Sequence, residues 1–177
     1  MECSGRMPVT ARSDARFCSN ACRQASYRAR RSGVPECMRE RVRWVRWVER
    51  RRGAKMTKVP LSLSGHDLDV RDSRRWASFD EARRSKVGTG YGIVLGDGLG
   101  CIDLDDCIVD GVVAEWAQDW IDGYREDAVL IERSVSGEGV HIFLPMAEGP
   151  GRRIRDGVQN VEIYSRERYI AVTGDRL

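Results

Sequence analysis

Two short apolar segments joined by a glycine-rich turn set the strongest constraint on the fold of this chain. Residues 91–95 and 99–105 are rich in Ile, Leu and Val, and a Gly-Asp-Gly turn at 96–98 separates them. Strands separated by a tight glycine turn commonly pair as a hairpin. The sequence therefore predicts an antiparallel hairpin, with Asp103 and Asp105 near the end of its second strand.

Asp103 and Asp105 stand two positions apart, and residues with this spacing on a strand share a face. Their carboxylates therefore point together, while Ile102 and Leu104 point into the core. Parallel carboxylates repel each other unless a cation lies between them. Mg²⁺ is bound in this way, by one or two carboxylates together with substrate phosphates. The pair is interpreted either as a divalent-metal site or as a strand end with solvated acids.

The remaining patterns predict a mixture of helices and hairpins. Residues 113–124 carry apolar side chains at the spacing of an amphipathic helix. Ser78 starts a short capped helix, and residues 44–48, which fit a helix or a strand, are favoured as a strand paired with 55–59. Further strands are predicted at 128–132, 139–144, 160–164 and 168–173, the last two as a second hairpin. This order favours the α+β class, with a mixed or antiparallel sheet and flanking helices.

A Ser/Gly loop precedes the only histidine that lies near a predicted strand. Ser134, Ser136, Gly137 and Gly139 lead to His141. Glycines let backbone N–H groups approach a phosphate closely, and the serine hydroxyls add donors. His141 is either a donor to a triphosphate or an ordinary half-buried histidine. Because the chain has two histidines, a site with several histidine ligands is excluded.

Charged residues also interrupt the last two apolar segments. Glu162 lies within residues 161–164, where its carboxylate is either on a solvent face or part of a site. Arg168 and Thr173 lie in the last predicted strand, where they could hold a phosphate or a sugar. Glu162 is therefore a candidate third acid beside Asp103 and Asp105.

These pieces, taken in order, resemble the N-terminal primase-polymerase domain of the archaeo-eukaryotic primase superfamily, which occurs in phage and plasmid replication proteins. The similarity covers roughly residues 43–175. The catalytic motifs of the family fall on Asp103 and Asp105, on the loop 136–141, and on Glu162. The supporting pieces are residues 44–47, 58–60, 76–82, 92–95 and 168–174.

The resemblance implies an RRM-like catalytic core in a domain spanning 43–177, and template-directed primer synthesis from nucleoside triphosphates. By two-metal logic, Asp103, Asp105 and Glu162 would hold Mg²⁺ or Mn²⁺, which activates the primer 3′-hydroxyl and stabilises the leaving pyrophosphate. The residues implied for nucleotide binding are Ser134, Ser136, Gly137, Gly139, His141, Lys58 and Arg168. The implied partners are a single-stranded DNA template and a helicase or C-terminal primase partner in DNA replication.

Charge divides the chain into a basic and an acidic part. Residues 1–58 hold 16 Lys and Arg against 5 Asp and Glu, whereas residues 59–177 hold 14 against 22. Basic segments bind nucleic acid by neutralising phosphates and releasing counterions, so we expect the N-terminal part to contact the template. Within this part, residues 1–35 are expected to form a separate arm, with a helix predicted over 20–31.

The basic arm resembles the second half of small zinc-binding modules found in actinobacterial and phage proteins. Structural zinc takes four ligands. The candidate ligands are Cys3, Cys18, Cys22 and Cys37. The alternative is a basic helix with three free thiols. Cys101 and Cys107 flank the acidic motif and are predicted to be core thiols.

The chain has no apolar run near ~18 residues, so no membrane span is predicted. Its first 16 residues lack the apolar stretch of a signal peptide, so we expect a protein of the bacterial host cytoplasm. The main alternative function is a non-catalytic or split-enzyme accessory protein that binds nucleic acid and needs a C-terminal partner. A replication-initiator nuclease is less favoured, because such enzymes pair histidines at the metal and His141 stands alone.

Overall fold

Eleven strands form in residues 33–177, the part of the chain that the computed structural model describes. They are β1 (Trp44–Arg52), β2 (Lys55–Leu61), β3 (Gly90–Val94), β4 (Leu99–Leu104), β5 (Ile108–Val109), β6 (Val112–Val113), β7 (Leu130–Arg133), β8 (Val140–Pro145), β9 (Arg152–Arg155), β10 (Asn160–Tyr164) and β11 (Tyr169–Ala171). Four make a sheet in the order β11-β3-β1-β2, and five make a second sheet in the order β7-β8-β4-β10-β9. All neighbours within both sheets are antiparallel, and β5 and β6 form a separate small hairpin.

Three α-helices accompany these strands in the same range: α1 (Glu36–Arg39), α2 (Phe79–Arg84) and α3 (Glu115–Tyr124). Helix α2 starts at a capping box, because the Ser78 hydroxyl accepts from the Glu81 N–H while the Glu81 carboxylate accepts from the Ser78 N–H. This exchange satisfies two donors that the first turn of a helix leaves free. The α+β class predicted from the sequence is confirmed.

The five-stranded sheet packs α3 against one of its faces. Ala117 and Ile121 of α3 are buried there against the apolar side chains that alternate along the strands. Ile102 and Leu104 of β4 are among them, as the strand alternation predicts. Burial of this face fixes the register of β4, since a shift by one residue would move its carboxylates into the core.

The opposite face of the five-stranded sheet changes from apolar to polar along its strands. At one end, Cys101 and Phe143 pack into a core that includes Trp44 and Phe79 of the other elements. The rings of Trp44 and Phe79 meet edge to face, with their centroids 4.8 Å apart. This core joins the two sheets. Two residues beyond Cys101 the same face presents Asp103, and the sheets leave an open cleft there.

The predicted hairpin of residues 91–105 is wrong, although its turn and both strands form. Strand β3 lies in the four-stranded sheet and β4 in the five-stranded sheet, so that a single bridge, between Gly96 and Leu99, joins them. Both edges of β3 are already occupied, by β1 and by β11. Gly92 allows the close approach of β11, because a Cβ atom there would lie 2.5 Å from the carbonyl oxygen of Ile170. The predicted pairing of residues 160–164 with 168–173 fails in the same way, since β10 and β11 belong to different sheets.

The segment that precedes β1 is part of the core. Val34 and Met38 are buried in the cluster that joins the two sheets, and the Arg176 guanidinium donates to the carbonyl of Gly33. The helix predicted over residues 20–31 lies outside the described residues. Within residues 33–177, no helix is long and apolar enough to span a bilayer.

Candidate active site

Four polar side chains form a row across the cleft face of the five-stranded sheet. Glu162 on β10 is the cross-strand partner of Asp103 on β4, Asp103 is the partner of His141 on β8, and His141 is the partner of Glu132 on β7. Directly opposed residues in antiparallel strands share a face and lie about 5 Å apart. The register therefore brings together three residues predicted from different parts of the sequence, and adds Glu132.

Asp103 lines the cleft and Asp105 directly follows the end of β4, and the surroundings of both side chains oppose their ionisation. Burial raises the pKa of Asp103, His141 lowers it, and the charge of Glu162 raises it again. Burial also raises the pKa of Asp105, to about 6, and the charges of Asp103, Glu162 and Asp106 add to the effect. Carboxyl groups whose pKa is raised by burial and by mutual repulsion are stabilised in their ionised form by a bound cation. This pair fits the two-carboxylate share of a Mg²⁺ or Mn²⁺ site.

His141 is held between two carboxylates. Its Nδ1 lies 3.1 Å from Glu132 Oε1, and its Nε2 lies 3.6 Å from Asp103 Oδ1. Because the Glu132 carboxylate already accepts backbone hydrogen bonds, Nδ1 is assigned as the donor and Nε2 is directed toward the cleft. The imidazole is buried and its orientation is fixed by this contact.

Glu132 was not singled out from the sequence, although it is the most deeply buried charged residue described. Its side chain is 0% exposed. It accepts from the Thr173 N–H at 3.2 Å and the Gly174 N–H at 2.7 Å, as well as from His141. The available signal was the acid after Leu130-Ile131, an apolar setting like that of Glu162. Thr173 was predicted to hold phosphate or sugar, but its hydroxyl donates to the carbonyl of Arg133.

Glu162 faces an arginine cluster, which consists of Arg153, Arg155 and Arg168. Glu162 Oε1 lies 3.0 Å from Arg153 Nε and 3.2 Å from Arg155, and Oε2 lies 3.5 Å from Arg168. The Tyr164 hydroxyl also donates to Oε2. Among the described residues, no group of three or more His, Cys, Asp or Glu side chains is arranged to hold a metal ion. Glu162 is thus the cross-strand neighbour of Asp103, while its two oxygens form ion pairs with the arginine cluster.

A cleft of about 480 Å³ lies in front of this row, between the two sheets. Asp103 and His141 of the five-stranded sheet line this cleft together with Lys58 of β2 and with Arg168, which immediately precedes β11. Positive charge on Lys58 and Arg168 also lowers the pKa of Asp103. The cleft therefore combines a carboxylate, an oriented imidazole and two cations, although Lys58 and Arg168 are about 110 residues apart in the sequence.

The Ser/Gly loop lies beside this cleft and bonds mainly to itself. The hydroxyls of Ser134 and Ser136 are 3.0 Å apart, and Ser134 accepts from the Gly139 N–H. Gly137 takes a positive φ of 83°, as the turn requires. The Glu138 carbonyl accepts from the N–H groups of residues 107 and 108, so the loop is fastened next to the end of β4. The loop hydroxyls and glycines are outside the lining of the cleft.

The zinc ligands predicted in the basic arm fall mostly outside the described residues. Cys3, Cys18 and Cys22 precede residue 33, while Cys37 lies on α1 as an exposed free thiol. Cys101 and Cys107 are buried free thiols, as predicted for core residues. Burial raises the pKa of Cys107 to about 11, so this thiol stays protonated at neutral pH.

A divalent cation is expected to stabilise the protein more at neutral than at acid pH. A carboxyl group whose pKa is higher in the folded than in the unfolded protein stabilises the folded state at pH values below its unfolded-state pKa. This stabilisation is lost as the pH rises through its folded-state pKa. For Asp105 the window runs from 3.8 to about 6. We expect Mg²⁺ or Mn²⁺ to raise the Tm by about 2–4 °C near pH 7.5 and by less near pH 5.

Differential scanning fluorimetry of the wild type and of D105N measures this effect. D105N removes the repulsion between the two aspartates, so the Tm of the metal-free variant near neutral pH should exceed that of the wild type. The increase in Tm on adding the cation should be smaller in the variant. An equal gain in both proteins at both pH values would contradict a cation at this pair.

No protein-family model matches the chain, and no curated protein matches it. The assignment of function therefore depends on the residues of the cleft and on their geometry.

Proposed function

We propose that the chain is a primase-polymerase: a metal-dependent nucleotidyltransferase that makes or extends primers on a single-stranded DNA template. The observation that carries the proposal is the cross-strand row in which Asp103 lies between Glu162 and His141. An RRM-like sheet is supported by β4, α3, β7 and β8, which form a split β-α-β unit with β8 between β4 and β7. The chain departs from this arrangement between β8 and β10, where β9 stands in place of a second helix.

Asp103 and Asp105 would hold the divalent cation, with Glu162 as a third ligand once its carboxylate leaves the arginine cluster. A cation bound there would activate a primer 3′-hydroxyl and neutralise charge on the leaving pyrophosphate. The donor set suits a hard cation, because it consists of carboxylate oxygens. Asp103 lies on β4, and Asp105 directly follows the end of this strand, where its N–H donates to the carbonyl of Asn160 on β10. Backbone pairing on both sides of the pair therefore holds the two residues near each other before substrate arrives.

The other cleft residues would bind and orient the triphosphate. His141 presents Nε2 to the cleft while Glu132 holds its Nδ1–H, so the imidazole keeps one orientation. Lys58 and Arg168 supply positive charge to the lining of the same cleft. Fixed cations and donors around phosphate oxygens lower the barrier to phosphoryl transfer mainly by positioning and electrostatic stabilisation.

A non-catalytic or split-enzyme accessory protein is the second candidate, and the arginine cluster is the observation that favours it. Glu162 makes ion pairs with Arg153, Arg155 and Arg168, which neutralise the carboxylate without a metal. An accessory protein of this kind would bind DNA, require a C-terminal partner and incorporate no nucleotide alone.

A primer-synthesis and primer-extension assay separates the two candidates. The full chain is incubated with a single-stranded template, with or without a labelled primer, and with nucleotides and Mg²⁺ or Mn²⁺. Template-dependent products that disappear with a chelator support the enzyme. Salt-sensitive DNA binding without any product supports the accessory protein.

Replacement of His141 by alanine is expected to lower incorporation by about 10²-fold, because it removes an oriented side chain that positions the triphosphate in the cleft. The matched control is His66→Ala, since the other histidine is exposed on the loop after β2. The steady-state rate of nucleotide incorporation is measured for both variants and for the wild type. If His141→Ala matches the wild type, the imidazole does not contact the reacting phosphates.

A further inference from the structure

The hairpin of β1 and β2 extends past the four-stranded sheet as a two-stranded ribbon, which we define as residues 48–59. Pairing of β1 with β3 ends at Trp47 and Gly90, whereas pairing of β1 with β2 continues for five more residue pairs, to Arg52 and Lys55. The ribbon is tied to the sheet at its base, where the Tyr169 hydroxyl donates to the carbonyl of Lys58.

The ribbon is strongly basic on both of its faces. It holds five cationic side chains, and Glu49 is its single acid. Cross-strand partners share a face, so Arg51 and Lys58 lie on the side of Glu49 and Met56. The other face holds the remaining three cations, Arg50, Arg52 and Lys55. Of the five cations of the ribbon, only Arg50 forms an ion pair with a described residue, the exposed Asp67.

The position of the ribbon connects this charge to the candidate active site. Glu49, Met56, Thr57 and Lys58 line the same cleft as Asp103. Residues 50–56 are exposed, so their side chains continue outward from the cleft into solvent. A strand of nucleic acid whose end reached Asp103 would therefore run along the ribbon.

We propose that the ribbon binds the phosphate backbone of a primer–template duplex next to its reactive end. The major groove of a duplex admits a two-stranded β-ribbon, and cations on both faces would then meet both phosphate rows. Phosphate contacts of this kind position a protein without reading sequence, as a primer-extending enzyme requires. The choice of a primer–template rests on the proposed function, whereas the binding itself requires no catalysis.

The test is fluorescence anisotropy of the full chain with a labelled primer–template duplex and with a labelled single strand, over a series of salt concentrations. R50Q/R51Q/R52Q is expected to raise the Kd for the duplex by about tenfold or more near 0.1 M salt. It should also reduce the slope of log Kd against log salt by about 2–3, since each lost duplex phosphate contact removes about 0.9. The Kd for the single strand should change less.

The matched control is R74Q/R84Q/R125Q, which removes the same charge from exposed positions away from the ribbon and the cleft. It should stay within about twofold of the wild type. R52E, at the exposed tip, is a second variant with little effect on folding, and it should also raise the duplex Kd. Equal Kd values for the ribbon and control variants, or equal losses on duplex and single strand, would overturn the proposal. If the wild type incorporates no nucleotide but still binds the duplex in a way that depends on the ribbon arginines, the proposed enzymatic function is wrong and the proposed role of the ribbon stands.

Discussion

Replacement of both Asp103 and Asp105 by asparagine is expected to reduce nucleotide incorporation by at least about 10³-fold while DNA binding stays within about twofold. Asparagine preserves the shape of each side chain but removes the charge that holds a divalent cation. Because burial and mutual repulsion raise the pKa of both carboxyl groups, the change should also stabilise the metal-free protein. Reduced activity would then accompany an unchanged or higher Tm, which excludes unfolding as the cause.

The control for this experiment is D69N/D72N, which removes the carboxylates of the exposed Asp69 and the partly buried Asp72. Asp69 and Asp72 pair with the nearby Arg71 and Arg74, outside the cleft lining. The control should incorporate nucleotide at the wild-type rate. Incorporation by D103N/D105N at a rate near that of the control would show that the reaction does not require this aspartate pair. Such a result would contradict the cation site proposed at this pair. Absence of incorporation by the wild type and by both variants, with DNA binding retained, would favour the accessory protein instead.

Local patterns in the sequence predicted the elements well because they depend on near neighbours. The capping box at Ser78 and the apolar spacing of residues 113–124 correspond to α2 and α3. Alternation along residues 99–105 also placed Asp103 and Ile102 on opposite faces of β4. A side chain two to four positions away decides each of these features.

Strand partners could not be predicted in the same way, because long-range packing selects them. The turn at Gly96–Gly98 looks like a hairpin, yet it carries the chain from one sheet to the other. Strand β3 is paired on both edges with segments about 45 and 75 residues distant, so no edge of β3 is left for β4. The arginine cluster around Glu162 escaped prediction for a related reason, since its members come from β9 and from the segment before β11.

Glu132 is the clearest residue whose role depends on distant partners, and its replacement tests how the site is held. Glu132→Gln is expected to lower the free energy of unfolding by about 2–3 kcal/mol, a Tm decrease of about 5–10 °C. The buried carboxylate accepts from Thr173 and Gly174, 41 and 42 residues away, and from His141. An amide has one acceptor oxygen, and its NH₂ group would face a backbone N–H donor. Thermal denaturation measures the change, and hydrogen exchange should show faster opening of residues 173–177.

The same substitution separates a positioning role from a purely structural one. The exposed Glu126→Gln is the matched control and should leave both Tm and exchange unchanged. If Glu132 orients His141, Glu132→Gln should reduce incorporation at a temperature where the variant is fully folded, with a larger effect on kcat than on KM. A Tm decrease with an unchanged kcat would restrict Glu132 to fastening the C-terminal segment. An unchanged Tm would show that the bonds to Thr173 and Gly174 contribute little, because an unsatisfied buried donor costs more than the measurement error.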